Sequence, residues 1–219
     1  LARHALEQEC PDAGTDWPLM DEGLTREDLT ATPFFTIDGE KTRDMDDALH
    51  IAPRAEGGWQ LSVAIADPTA YVDEGHAADL EARTRAFTVY LPGQNVTMLP
   101  EQLADDLCSL WEDKERPALA CTLDINADGS LGEYRFFAAN VKSHAKLVYN
   151  NVSDWIEGQG DWAPADDIAE QLTALRDLTE ARTAWRNEHA LVFKDRPDYV
   201  FDLDPAGNVL AVRTEERRI

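Results

Sequence analysis

Four aspartates fall within ten residues at Asp38, Asp44, Asp46 and Asp47, inside the run Thr36-Ile-Asp-Gly-Glu-Lys-Thr-Arg-Asp-Met-Asp-Asp-Ala-Leu49. Two carboxylates about 4 Å apart repel by roughly 4 kcal/mol at an effective dielectric near 20. Several such pairs would rival the net stability of a whole domain, about 5 to 15 kcal/mol. If the run folds inward, it therefore needs a divalent cation or raised carboxyl pKa values. Oxygen donors with no His or Cys among them favour a hard ion, Mg²⁺ or Mn²⁺, over zinc. Two such ions are common apparatus for in-line displacement at a phosphodiester. A solvated acidic loop would use the same residues, and charge pattern alone leaves both readings open.

The elements around this run are short and mostly β-type. Phe34–Asp38, Ala48–Ala52 and Trp59–Ala66 read as strands, the last two joined at Glu56-Gly-Gly58. Ala118–Ile125 and Leu131–Val141 form a further hairpin around Asn126-Ala-Asp-Gly129, and Tyr199–Leu203 with Val209–Arg213 a third. Helices are expected over His76–Tyr90, with Leu80, Phe87 and Tyr90 partly buried, and over Pro100–Leu110. Ile168, Leu172, Leu175, Leu178 and Trp185 recur at three- and four-residue steps, predicting a long helix over Asp166–His189. Residues 1–30 read as a lead-in of helical tail, loop and short helix, the last from the capping-box spacing of Thr25-Arg-Glu-Asp28. With no internal repeat, the chain is α+β: mixed, mostly antiparallel strands flanked by helices, with the Asp loop lining a cleft.

The 219 residues carry 43 Asp plus Glu against 20 Lys plus Arg, a formal charge of -23. Phosphate affinity comes largely from Lys and Arg. A nucleic-acid role must then rest on metal ions, local basic patches or neighbouring domains. The longest apolar stretches, such as Leu61–Ala66, fall far short of the roughly 20 residues of a membrane helix. Cys10, Cys108 and Cys121 show no paired spacing, which fits a reducing, cytoplasmic compartment. Neither end carries a leader or a turn signal, and we expect the sequence to continue beyond both. Asp124-Ile-Asn-Ala-Asp-Gly129 begins like a calcium loop, but its twelfth position is Arg135, so a hairpin turn is expected instead. P-loop and G-x-S-x-G motifs are absent.

Thr36-Ile-Asp38 followed by Asp44-Met-Asp-Asp-Ala48 resembles the signature of the RNB family of exoribonucleases. The resemblance continues through Val63-Ala-Ile-Ala-Asp-Pro-Thr-Ala70, Arg85-Ala-Phe-Thr88, Tyr90-Leu-Pro-Gly93, Met98-Leu-Pro100, Asp106-Leu-Cys-Ser-Leu110, Lys146-Leu-Val-Tyr149 and Val192-Phe-Lys-Asp-Arg-Pro-Asp198. It points to one branch of that family, since Ala64 and Pro68-Thr69 stand where another branch usually has His and Val-Ser. The resemblance implies an RNB-type catalytic domain that hydrolyses single-stranded RNA processively from the 3′ end, with Mg²⁺ or Mn²⁺, releasing nucleoside 5′-monophosphates. Asp38, Asp44, Asp46 and Asp47 would be the metal-binding and catalytic carboxylates, with Asp46 the least replaceable. Tyr90 would stack on a base near the 3′ end, and Tyr149 would lie near a ribose, where a phenol can meet a 2′-OH. Read without the resemblance, either tyrosine is more readily a half-buried packing residue than a ligand contact.

Residues 31–219 would then be the N-terminal half of the catalytic domain, with 1–30 following an RNA-binding domain. Cold-shock-type and S1 domains, and a second half supplying an Arg and a Glu to the site, would lie outside this chain. The fragment alone would be incomplete and inactive, and a monomer with no membrane partner is expected. Two rivals remain: a non-catalytic RNA-binding module, and an acidic interaction protein whose charge is its function. A charge mimic would spread its acids over an exposed face, whereas an enzyme concentrates some of them in a cleft.

Overall fold

The computed structural model describes residues 16–20, 23–92, 94–190 and 198–215. The elements run β1 (Glu27–Asp38), β2 (Asp47–Pro53), β3 (Trp59–Ala66), α1 (Ala77–Arg85), β4 (Val89–Leu91), β5 (Gln94–Val96), β6 (Glu115–Ile125), β7 (Leu131–Val148), α2 (Tyr149–Ile156), α3 (Asp166–His189), β8 (Asp198–Leu203) and β9 (Val209–Glu215). The mixed α+β class expected from sequence is present. The chain divides into two compact units.

One unit spans residues 23–67 and 108–193. Its strands close into a barrel in the order β1-β2-β3-β6-β7. All neighbours are antiparallel except β1 and β7, whose parallel register runs from Glu27 opposite Ala139 to Asp38 opposite Val148. Closure joins the two edges that an open sheet would expose. The interior is narrow, and alanines line much of it: Ala48, Ala64, Ala118, Ala120 and Ala139 are buried beside Phe34, Met45, Leu110 and Val141. Small inward residues make room for the two long side chains, Phe34 and Met45, that fill the space.

Outside the barrel, α2 lies against β7 and α3 chiefly against β2, with Phe35 of β1 beneath them. Phe35 and Leu147 pack with Val152, Ile168 and Leu172, and Ile51 and Ile125 pack with Leu178. The predicted apolar stripe of α3 is the buried one through Leu178, while Trp185 lies past it, stacked on His189 at 4.7 Å. Gln171 is a polar residue on the same buried face, 6% exposed. Its Nε2 donates to the Pro33 carbonyl and its Oε1 accepts from the Ile51 N–H, both at 3.0 Å. The Asn126–Gly129 turn is a hairpin as expected, and Gly129 is required there. Its φ is +82°, and a Cβ would stand 2.2 Å from the Ala181 carbonyl oxygen of α3.

The other unit comprises residues 1–22, 68–107 and 194–218. It holds α1, the β4–β5 hairpin and the β8–β9 hairpin. Its α1 is capped by His76, whose Nδ1 accepts from the Ala78 N–H at 3.2 Å.

Several expected elements differ. No helix forms at Thr25–Asp28: Asp28 Oδ1 accepts from the N–H and hydroxyl of Thr30, at 3.0 and 2.7 Å, and β1 is already paired with β7 at Glu27. The helix expected over His76–Tyr90 stops at Arg85, where Ala86 takes a φ of 68°. Past a bend at Phe87 the chain becomes the strand β4 at Val89-Tyr-Leu91, whose β-branched and aromatic residues favour it. Leu80, Phe87 and Tyr90 are exposed rather than partly buried. Pro100–Leu110 does hold the expected short helix, over residues 101–107, π-helical from Leu103 to Leu107. β7 runs on to Val148, beyond the expected end at Val141, because its last residues pair with β1. The helical tail and residues 192–197 of the last quoted motif lie outside the described residues.

Candidate functional site

Three neighbouring strand ends meet at one mouth of the barrel. β1 lies between β2 and β7, so Asp38 at the end of β1, Asp47 at the start of β2 and Tyr149 just after β7 come to the same rim. The loop between Asp38 and Asp47 carries Asp44 and Asp46 across that rim. Met45 anchors it: the side chain is fully buried in the barrel core while the two aspartates on either side face outward. Alternation around one apolar anchor gives the run Asp-Met-Asp its local logic.

Hydrogen bonds hold this loop along its length. Lys146 Nζ donates to the Thr42 carbonyl at 2.6 Å and rests over the Trp111 ring at 5.1 Å. Ser109 Oγ donates to the Arg43 carbonyl at 2.6 Å and accepts from the Met45 N–H at 3.0 Å. The Leu110 N–H donates to the Met45 carbonyl, and the Ala66 N–H to that of Asp46, at 3.0 and 2.8 Å. These partners were not among the expected site residues, although Ser109 and Lys146 both stand in quoted motifs.

The electrostatics are those of crowded acids. Burial pushes the Asp38 carboxyl above the usual carboxylate range; the neighbouring Thr36 hydroxyl and the Lys146 charge act against this, and the Asp47 and Asp44 charges add to it. Asp46 is raised by burial first and then by the charges of Asp44, Asp47 and Asp38, and Asp47 by burial. Both remain open to solvent on one side. The Tyr149 phenol is pushed up by burial and by the negative charges of Asp38 and Asp47. The structure therefore brings Asp38, Asp44, Asp46, Asp47 and Tyr149 into one electrostatic neighbourhood. Tyr90 belongs to the other unit, on β4, with its ring exposed.

Asp38 Oδ2 and the neighbouring Thr36 hydroxyl are both buried without a hydrogen bond of good geometry. A buried carboxylate oxygen left unpaired costs free energy that a cation would offset. Among the described residues, no group of three or more His, Cys, Asp or Glu is gathered so as to hold a metal ion by itself. Carboxylate oxygens with no His or Cys beside them are donors that suit a hard divalent cation, which keeps water or substrate oxygens in its remaining positions.

A closed barrel with an aspartate-rich rim is the ground on which the chain can be placed: residues 26–219 match the RNB domain, and the chain belongs to the RNB family. It is 56% identical to Exoribonuclease 2 of Edwardsiella piscicida and 57% identical to that of Yersinia enterocolitica, over its whole length and 34% of each relative. The chain thus spans about a third of the length of the curated relatives it matches. Among solved structures, RNase R of Mycoplasma genitalium in complex with ribose-methylated single-stranded RNA superposes with a TM-score of 0.85 at 25% identity. That match covers 98% of this chain and 33% of RNase R. No described helix is long and apolar enough to cross a membrane.

Proposed function

We propose that the chain is the metal-binding part of an exoribonuclease of the ribonuclease II type, which hydrolyses single-stranded RNA processively from its 3′ end and releases nucleoside 5′-monophosphates. The observation that carries this reading is the rim of four aspartates, of which Asp38, Asp46 and Asp47 have raised pKa values and Asp38 also has a buried oxygen without a well-formed hydrogen bond. Asp38, Asp44, Asp46 and Asp47 would hold Mg²⁺, with Mn²⁺ as a substitute. Bound there, the cation supplies charge neutralisation for the phosphodiester and lowers the pKa of an attacking water. Without it, four carboxylates repel the RNA backbone.

The chain's own groups do the remaining work. Tyr149 stays a phenol at neutral pH and can donate a hydrogen bond to a 2′-OH, the group that separates RNA from DNA. Tyr90 offers an exposed ring for base stacking, which grips any sequence. The concentration of desolvated acids at one barrel rim favours an enzyme over a charge mimic. Residues 31–219 are, in this reading, the first half of a catalytic domain in a cytoplasmic, monomeric protein with cold-shock-type and S1 domains.

A gel time course of 5′-labelled single-stranded RNA tests this, with the full-length protein and the 219-residue chain side by side, in Mg²⁺ or EDTA. Stepwise 3′ shortening by the full-length protein only with Mg²⁺, and inertness of the shorter chain, is expected. A full-length protein that folds and does not cut would overturn the reading.

A further inference from the structure

Ser109 follows the π-helical turn, is 1% exposed, and gives its hydroxyl proton and an acceptor lone pair to the acidic loop. Its single hydroxyl proton goes to the Arg43 carbonyl at 2.6 Å, and its oxygen receives the Met45 N–H at 3.0 Å. Those two groups belong to the two peptide planes that border Asp44. Fixing both planes fixes the φ and ψ of Asp44, and hence the direction of its side chain. The next two planes are fixed by backbone bonds, from Leu110 N–H to the Met45 carbonyl and from Ala66 N–H to the Asp46 carbonyl. Ser109 is itself immobilised, since its carbonyl accepts from Arg116 Nε at 3.1 Å and from the Trp111 N–H at 2.9 Å.

We propose that Ser109 is a positioning residue for the RNA-cleaving site: its buried hydroxyl sets the direction in which Asp44 presents its carboxylate to a divalent cation, beside an Asp46 held by the Leu110 and Ala66 amides. The role rests on the exoribonuclease reading for its catalytic consequence, and on geometry alone for its effect on the loop. Like-charged carboxylates at the rim push the loop outward, and Met45 gives it an apolar anchor without a defined rotation. The hydroxyl supplies that rotation. Ser109→Ala leaves the Arg43 carbonyl and the Met45 N–H without their partner and frees both planes to turn.

The test uses the full-length protein as wild type, Ser109→Ala, Ser109→Cys, and Ile125→Ala. The last truncates a buried side chain in the satellite cluster with Ile51 and Leu178, away from the loop, and serves as a stability control. Three quantities are measured: kcat and KM on single-stranded RNA, Mg²⁺ affinity by calorimetry without RNA, and hydrogen exchange at the Met45 amide. For Ser109→Ala we expect kcat and Mg²⁺ affinity each to fall roughly 10- to 100-fold. KM should stay within about twofold, and Met45 exchange should quicken. Ser109→Cys, which retains a weak donor, should recover part of the loss. Ser109→Ala with wild-type Mg²⁺ affinity and kcat, or losses matched by Ile125→Ala at equal Tm, would overturn the inference. A wild type that binds Mg²⁺ yet leaves RNA intact would overturn the exoribonuclease reading instead, while the exchange and Mg²⁺ comparisons would still decide the role of Ser109.

Discussion

Asp46 is a carboxyl whose place at the proposed site costs the fold stability. Its raised pKa means that the folded chain keeps this proton at pH values where the unfolded chain has released it. Stability from this group is therefore full below the ordinary carboxylate range and is lost as pH rises through the raised value. Asp46→Asn should melt with wild type at low pH and a few °C above it at pH 7 without divalent ions, a difference readable by calorimetry. Mg²⁺ should reverse the order, and the variant should lose Mg²⁺-dependent cleavage. Lys146 carries the opposite charge at the same rim. Lys146→Met removes both the cation that opposes the Asp38 shift and the bond to Thr42. The metal-free Tm should fall, and Mg²⁺ should recover more of it than in wild type; a Tm unchanged in EDTA would refute this role. The aspartates were legible because acids at such spacing are costly and hence conspicuous. Ser109 and Lys146 were not, since a serine and a lysine declare a role only when the fold sets them against a particular carbonyl.

At the scale of elements, Gln171 shows what periodicity hides. The stripe through Ile168 and Leu172 predicted α3 to its observed ends, yet it gave no hint that a polar residue shares the buried face. There Gln171 bonds to Pro33 of β1 and Ile51 of β2. Gln171→Leu leaves a buried carbonyl and a buried N–H unpaired, at about 1–3 kcal/mol each, so the Tm should drop by roughly 5–10 °C in a thermal melt. The β2–β3 and β6–β7 hairpins were readable from glycine-bearing turns and alternation. The short helix α2 was not: Tyr149-Asn-Asn-Val-Ser has weak helix formers and no side-chain cap. Val152, Trp155 and Ile156 hold it against the barrel, so tertiary packing overrides propensity. The end of the expected His76–Tyr90 helix failed in the other direction, where apolar spacing resembled a helix and β-prone Val89-Tyr-Leu91 made a strand.

At the scale of the whole molecule, a formal charge of -23 on 219 residues is a standing self-repulsion. Raising ionic strength shortens the Debye length from about 30 Å at 0.01 M to about 8 Å at 0.15 M, so monovalent salt alone should raise the metal-free Tm. A fall would mean that surface ion pairs outweigh the repulsion. Barrel closure was the part of the fold least visible in the sequence, because it depends on β1 finding β7 in parallel across roughly a hundred residues. That pairing also sets a schedule. Ribosomes add about 5–20 residues per second, so all four aspartates leave the ribosome seconds before the strand that must flank Asp38 exists. A nascent chain halted ahead of residue 139 carries the complete acidic motif with no β7 beside it and no Tyr149 at the rim. An interrupted translation product therefore cannot assemble this half of the site, and the order of synthesis keeps the motif inert until the barrel can close.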